Sequence, residues 1–381
     1  MDILYIGLMI FMLACLAGVS VYIYKFVARI GRNLDIAVKN KWAKLGLTAL
    51  GIAIFILVMY IFGTIAMIIV LHFVVISMLV DVINTIIKKI KKNAYSSLKI
   101  WSKIYKSCII PLFITVGIMI YGYLNMMNVQ ETAYTISTDK AIREEGYRIG
   151  LVADIHFGIS LDIEELQSVC DEISSKNIDI MILCGDIVDE GTTYEEMQAV
   201  FKALATIDTE YGIYYVYGNH DRQTYKTDKS FTTEQLDEAI TSNGIKILLD
   251  ETVTINDEFT IIGRNDASFT KNSNRKSIEE LLENIDMNDF ILTLDHQPTE
   301  YEENSKAGTD LLLSGHTHAG QIWPANIFLN IVKFDDAVYG ITEIDDFTGL
   351  VTSGVAGWGF PVKTSAPAEY VILDIKYGLD D

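Results

Sequence analysis

The sequence contains 36 consecutive residues, Leu45 to Val80, without a formal charge. As one helix at 1.5 Å per residue the run would be about 54 Å long, against ~30 Å of hydrocarbon in a bilayer. It is therefore read as two membrane spans, 45–62 and 64–83, turning near Gly63-Thr64. Ile3 to Tyr24, also uncharged, and Cys108 to Met127 make further spans, so 1–128 is expected to be an all-α transmembrane domain of about four helices. Asp2 stands where a cleaved signal carries basic residues, and Met12-Leu13-Ala14-Cys15 without that basic region is a poor lipoprotein site.

Charge divides the chain at the same place. Through Asn128 there are 13 Lys and Arg against three acids, a net of +10; the totals of 30 and 50 leave 17 against 47 beyond it, a net of −30. The acidic rear argues against general nucleic-acid binding, which needs basic side chains to neutralise phosphates. Lys25, Arg29, Arg32, Lys39, Lys41 and Lys44 follow the first span, and seven lysines from Lys88 to Lys106 precede the last. Positive loops stay cytoplasmic, which two intervening spans permit. The expectation is a multi-pass cell-membrane protein with both termini outside and an extracytoplasmic domain, 147–381, beyond a linker at 129–146. His72, inside a span, is expected to pack against neighbouring helices. Cys15, Cys108, Cys170 and Cys184 have no zinc-type spacing and are expected to be free and buried.

The other five histidines, His156, His220, His296, His316 and His318, all follow strand-like apolar runs and sit among Gly, Asp or Asn. Asp154 and His156 follow Ile149–Ala153, Gly185-Asp186 and Asp189 follow Ile178–Cys184, and Gly218-Asn219-His220-Asp221 follows Tyr211–Tyr217. His296 follows Phe290–Asp295, and Gly315-His316-Thr317-His318 follows Asp310–Ser314. Strand ends carrying Asp, Asn and His have the composition of a metal site. Within Gly218–Asp221 an amide oxygen, an imidazole and a carboxylate offer a ligand, a proton donor and a group to orient that donor, although the four alone are equally an Asx-type turn. Apolar stripes at helical spacing, such as Ile163, Leu166, Val169, Cys170 and Ile173, alternate with the first strands, and later strands cluster. The pattern predicts an α/β fold of two facing mixed sheets flanked by helices.

Asp154-x-His156, Gly185-Asp186-x-x-Asp189, Gly218-Asn219-His220-Asp221, His296 and Gly315-His316-x-His318, in this order, resemble the five blocks of the calcineurin-like metallophosphoesterases over residues 147 to 375. Ser314 to Ile322, His296-Gln297-Pro298 and Ser353 to Gly357 further resemble the membrane-attached bacterial subgroup, some of whose relatives act on lipid-linked phosphates. Ala319 departs from the glycine common there, and from Trp358 onward the match is loose, which leaves substrate choice open. The resemblance implies the calcineurin-like two-sheet mixed β-sandwich. It also implies two divalent metal ions, Mn, Fe or Zn, one held by Asp154, His156, Asp186 and His318 and the other by Asp186, Asn219, His296 and His316. Such a pair lowers the pKa of a bridging water and clamps phosphoryl oxygens. His220 would protonate the leaving oxygen or stabilise developing charge, with Asp221 holding its imidazole.

Asp189 is either a positioning group for a ligand or part of a turn, and Arg222 and Arg264 are candidates for contact with substrate anions. Three functions are compatible with these residues: a membrane-tethered phosphohydrolase acting on a phosphoester or lipid-linked phosphate at the bilayer, a phosphodiesterase on soluble nucleotides, and a non-catalytic sensor of phosphate ligands. Oligomeric state is not encoded in any of these features.

Overall fold

The computed structural model describes residues 18–26, 28–29, 41–269 and 275–378. The chain forms two compact units, divided between Tyr121 and Gly122.

In the first unit, α1 (Lys41–Lys91) is broken at Gly63, whose φ of 59° and ψ of −144° lie outside helical values, at the point where the turn was expected. A glycine tolerates that conformation because it has no Cβ. Helix α2 (Lys99–Ser107) follows, and α3 (Ile109–Met127) runs on into the second unit. Among the described residues two helices, Gly63–Lys91 and Ile109–Met127, are long and apolar enough to cross a membrane, where about four spans were expected. The expected span 3–24 lies outside the described residues except for 18–24, which are helical, and 45–62 forms the part of α1 ahead of the break. His72 is buried, with Nδ1 2.8 Å from the Ile68 carbonyl one turn back on the same helix. Buried Arg29 is paired with Asp81, which also accepts the Tyr105 hydroxyl at 2.9 Å, so this charge is not left alone in an apolar setting. Cys108, Cys170 and Cys184 are free and buried; Cys15 lies outside the described residues.

The second unit is built on two six-stranded sheets. The first has the order β1 (Gln130–Thr138), β12 (Glu369–Tyr377), β2 (Tyr147–Val152), β3 (Ile180–Cys184), β4 (Ile213–Val216), β5 (Lys246–Ile247). The second runs β10 (Gly340–Ile344), β11 (Phe347–Val351), β9 (Leu311–Ser314), β8 (Phe290–Leu294), β7 (Phe259–Gly263), β6 (Glu251–Ile255). Strands β2 to β5 pair in parallel, as do β7, β8 and β9. Both faces of the central strands are covered, so they read as unbroken apolar runs and show no alternation. Ile149, Leu151, Ile180, Ile182 and Val216 from one sheet meet Ile261, Leu292, Leu294 and Leu313 from the other, while Met181 and Leu183 face the opposite way. Each such side chain contributes about 1.5–3 kcal/mol of burial.

Helices α4 (Ile163–Ser174), α5 (Tyr194–Leu204) and α6 (Thr233–Ser242) cover the outer face of the first sheet through Leu166, Cys170, Met197, Phe201, Leu236 and Ile240. Each opens on a capping box, with Asp162, Thr193 or Thr232 accepting the backbone N–H three residues on. Helices α7 (Ile278–Leu282), capped by Ser277, and α8 (Tyr301–Ala307) flank the second sheet.

The segment 129–146 was expected to be a linker, and half of it is strand. Gln130 to Thr138 form β1, paired in parallel with Glu369 to Tyr377 at the edge of the first sheet. Its polar sequence is that of an edge strand: Tyr134 and Ile136 pack on the core, while Gln130 and Glu131 are exposed. The chain therefore enters the sandwich before the expected domain start at 147.

Candidate metal centre

Parallel strands deliver their carboxyl ends to one edge, and the motif residues are placed there by β2, β3 and β4 from one sheet and β8 and β9 from the other. Asp154, His156, Asp186, His316 and His318 all have positive φ, between 40° and 68°. Backbone of this kind in non-glycine residues costs energy and concentrates at functional sites. At two glycines the crowding is explicit. A Cβ at Gly185 would lie 2.5 Å from the Gly218 nitrogen and 2.6 Å from His296 Nδ1, and one at Gly315 would collide with the Asp154 carboxylate.

The side chains gather into two groups, Asp154 with His156 and His318, and Asp186 with His296 and His316, the potential ligand atoms of each group lying within 4.8 Å of one another. Asp186 reaches both: its Oδ2 is 3.0 Å from His296 Nε2 and 3.7 Å from His156 Nε2. Asn219 Oδ1, His156 Nε2 and His318 Nδ1 are buried without a hydrogen-bond partner. Buried polar atoms are nearly always satisfied, so orphans at one locus call for an ion. The donor set is nitrogen and oxygen without thiolate, which fits Mn, Fe or Zn.

Electrostatics agree with ligand chemistry at His316 and His318; at His296 burial would lower the pKa, but Asp186 raises it well above the usual value, so that ring would release a proton on binding an ion. Burial and the neighbouring His296 charge push His316 down to about 3, and burial with His156 holds His318 well below its usual value, so both imidazoles are neutral and free to donate a lone pair. His296 Nδ1 donates to the Cys184 carbonyl at 2.7 Å, which leaves Nε2 facing Asp186. Burial opposes ionisation of Asp186, yet His296 and His156 outweigh it and keep the carboxylate charged.

Asp221 does not hold His220. Its carboxylate, fully buried, accepts backbone N–H groups from Asp186 (2.8 Å), Ile187 (2.9 Å), Val188 (3.2 Å) and Gly218 (2.6 Å), tying two strand-end loops together. The side chain that meets His220 is Glu190, whose Oε2 is 2.7 Å from Nδ1. Adjacency in sequence suggested Asp221; the backbone turn sends it the other way. Burial by itself would lower the His220 pKa, but the Glu190 hydrogen bond and the charges of Asp186 and Asp189 raise it. Asp221→Ala is expected to destabilise the fold by roughly 1–3 kcal/mol, because the N–H groups lose their acceptor; chemical denaturation would show it as a lower midpoint with unchanged slope.

Asp189 combines both roles offered for it. Its Oδ1 accepts the Gly191 N–H at 2.7 Å and its Oδ2 lies 3.4 Å from His156 Nδ1. Asp189→Asn is expected to weaken metal affinity about 10- to 100-fold, measured by competition with a chelator, with the fold intact. Arg264 is 1% exposed and bonded to Glu300 and the Lys276 carbonyl, and Arg222 lies over the Tyr217 ring at 3.9 Å. Three residues escaped sequence reading. Besides Glu190, Arg275 pairs with buried Asp295 beside His296, and fully buried Lys363 donates to the carbonyls of Gly354 (2.9 Å) and Ala356 (3.0 Å), in the loop against Asp154. A charged side chain distant in sequence gives no periodic signal.

The family model described as calcineurin-like phosphoesterase matches residues 147–320. The metallophosphoesterase YkoQ of Bacillus subtilis is 32% identical over 233 residues, 59% of this chain and 82% of that protein. The chain belongs to the calcineurin-like metallophosphoesterase family. A Campylobacter jejuni metallophosphoesterase is 27% identical over 263 residues (68% of this chain, 67% of that one). A Danio rerio transmembrane protein with metallophosphoesterase domain is 23% identical over 308 residues (77% of this chain, 68% of that one). The match thus spans about two thirds of the length of these last two relatives. For this metallophosphoesterase, the family match and the two side-chain groups agree on divalent metal binding as the chemistry of the site.

Proposed function

We propose that the chain is a membrane-tethered phosphohydrolase that cleaves a phosphoester or pyrophosphate bond, with a lipid-linked phosphate as the favoured substrate class. The observation that carries the reading is the pair of ligand groups with Asp186 between them. Asp154, His156, Asp186 and His318 would hold one divalent cation, and Asp186, Asn219, His296 and His316 a second. The chemistry a bound pair would supply there is an activated water and charge offsetting that of the phosphoryl oxygens.

The chain's own residues do the rest. Asp221 and the glycines fix the loops so that ligands need not reorganise. His220 uses Nδ1 on Glu190 and keeps Nε2 for the leaving oxygen, to which it gives a proton. Glu190 positions that ring and favours its protonated form. A site that only bound phosphate would have no use for a carboxylate-supported imidazole, and this favours hydrolysis over the sensor reading. Membrane tethering is supported by the two apolar helices and by the similarity to a transmembrane relative. An extracytoplasmic catalytic unit remains the proposal of the lysine distribution.

The test is turnover by the full-length protein in detergent with Mn²⁺, comparing an aryl monoester, an aryl diester and a lipid-linked pyrophosphate. Preference for the lipid substrate supports the reading; preference for a soluble diester would replace it with the nucleotide phosphodiesterase alternative. Glu190→Gln is expected to lower kcat about tenfold with KM nearly unchanged, since its partner acts in the transition state.

A further inference from the structure

Seven residues beyond His318 the chain enters α9 (Ala325–Val332), Ala-Asn-Ile-Phe-Leu-Asn-Ile-Val, which carries no charge and buries none of its residues. Ile327 is 50% exposed and Ile331 74%, and the flanking Trp323 and Phe334 are 40% and 61% exposed. Asn326 and Asn330 make a polar stripe, with the Asn330 amide donating to the Asn326 carbonyl at 3.0 Å, and Ile327 and Ile331 make an apolar one. Contiguous apolar exposure of this kind marks an interaction surface.

A second set of contacts says what covers it. Leading into α9, the Trp323 N–H donates to Thr364 Oγ1 at 2.9 Å, and the Gln321 side chain donates to the carbonyls of Trp358, Phe360 and Val362. The same short segment is held from elsewhere by the end of α3: the Gly122 carbonyl accepts the Lys363 N–H at 3.0 Å, and the Asn125 amide donates to the carbonyls of Lys363 (3.0 Å) and Ala366 (2.7 Å). Helix α3 is one of the two described helices with membrane-crossing length and hydropathy, and if it spans the bilayer as proposed above, its last turns would lie at the boundary. Trp358, in that segment, has its ring 5.6 Å from the ring of His220. One stretch of chain, 358–366, therefore joins the root of α9, the end of a membrane-length helix and the proton donor of the site.

We propose that α9, with Trp323 and Phe334, lies in the bilayer surface and holds the metal centre against the phosphoesters of membrane lipid headgroups. This rests on the phosphohydrolase reading for its substrate and on the bilayer for its occupant. Tryptophan at the edge and an apolar stripe opposed by the asparagine stripe suit an interfacial element.

The first experiment reconstitutes the full-length protein in phosphatidylcholine vesicles with or without bromine on the acyl chains. The part of the tryptophan emission that Trp323→Phe removes should be mostly lost in brominated lipid, and Ile331→Trp, placed in that background, should add emission quenched in the same way. Emission quenched by aqueous iodide and indifferent to bromolipid would overturn the proposal. Emission shielded from both would also overturn it, in favour of a protein partner or a second copy. In the same vesicles Ile331→Glu should slow hydrolysis of a vesicle-borne phosphoester about tenfold and leave a soluble aryl ester unchanged. If the unmodified protein hydrolysed neither ester, the hydrolase reading would fall, and the quenching result would still decide the place of α9.

Discussion

Asp186→Asn is expected to reduce turnover by more than about 10³-fold, measured as initial rates on an aryl phosphoester at saturating Mn²⁺. Several kcal/mol of transition-state stabilisation depend on cation charge at the phosphoryl group, and each 1.36 kcal/mol is tenfold in rate. Asp186 is the side chain that approaches both ligand groups, 3.0 Å from His296 and 3.7 Å from His156. Asparagine has nearly the same shape and keeps one oxygen, so the fold should survive. Because Oδ1 accepts the His220 N–H at 2.8 Å, the asparagine amide nitrogen would take the place of Oδ2, so what is lost is the oxygen facing both groups and the negative charge between two cations. A variant that retained a tenth of the activity would show that Asp186 serves only to align its neighbours.

His220→Ala should lower kcat by about 10² to 10⁴ while leaving metal content unchanged. Substrate choice sharpens the test. A proton donor matters most when the leaving oxygen is basic, so the loss should be large for an alkyl ester and small for a nitrophenyl ester, whose phenolate departs unaided. An equal loss on both esters would assign His220 to charge stabilisation instead. Glu190, 2.7 Å from Nδ1, is the partner whose removal should mimic part of this effect; Asp221, engaged by four backbone N–H groups, is not.

The sandwich was legible because β2, β3, β4, β8 and β9 are covered on both faces and so appear as apolar runs ending in glycine and polar ligands. The same property that makes them buried makes their ends conspicuous. Strand β1 was missed because an edge strand needs only half its face, and Tyr134 and Ile136 among threonines look like linker. Helices α8 and α9 were missed for opposite reasons. Tyr301–Ala307 is short and polar, while Ala325–Val332 lacks the charged face that gives a water-soluble helix its period. The ligands were readable one by one, and the structure brings Asp154, His156, Asp186, His296, His316 and His318 together as two groups. Their supports were not readable. Glu190 reaches His220 across 30 positions, and Lys363 crosses from a loop that sequence spacing does not connect to Asp154. Among the described residues two helices of membrane-crossing length stand where about four spans were expected, because an uncharged run gives length without saying which parts form separate helices.

The central claim is that two divalent cations share Asp186. Elemental mass spectrometry of the purified full-length protein, after exchange into metal-free buffer, counts them directly. Two divalent ions per chain are expected, falling to one or none in Asp186→Asn while Asp221→Asn and His220→Ala keep both. Two ions retained in Asp186→Asn, or fewer than two in the unaltered protein after incubation with Mn²⁺, would contradict it.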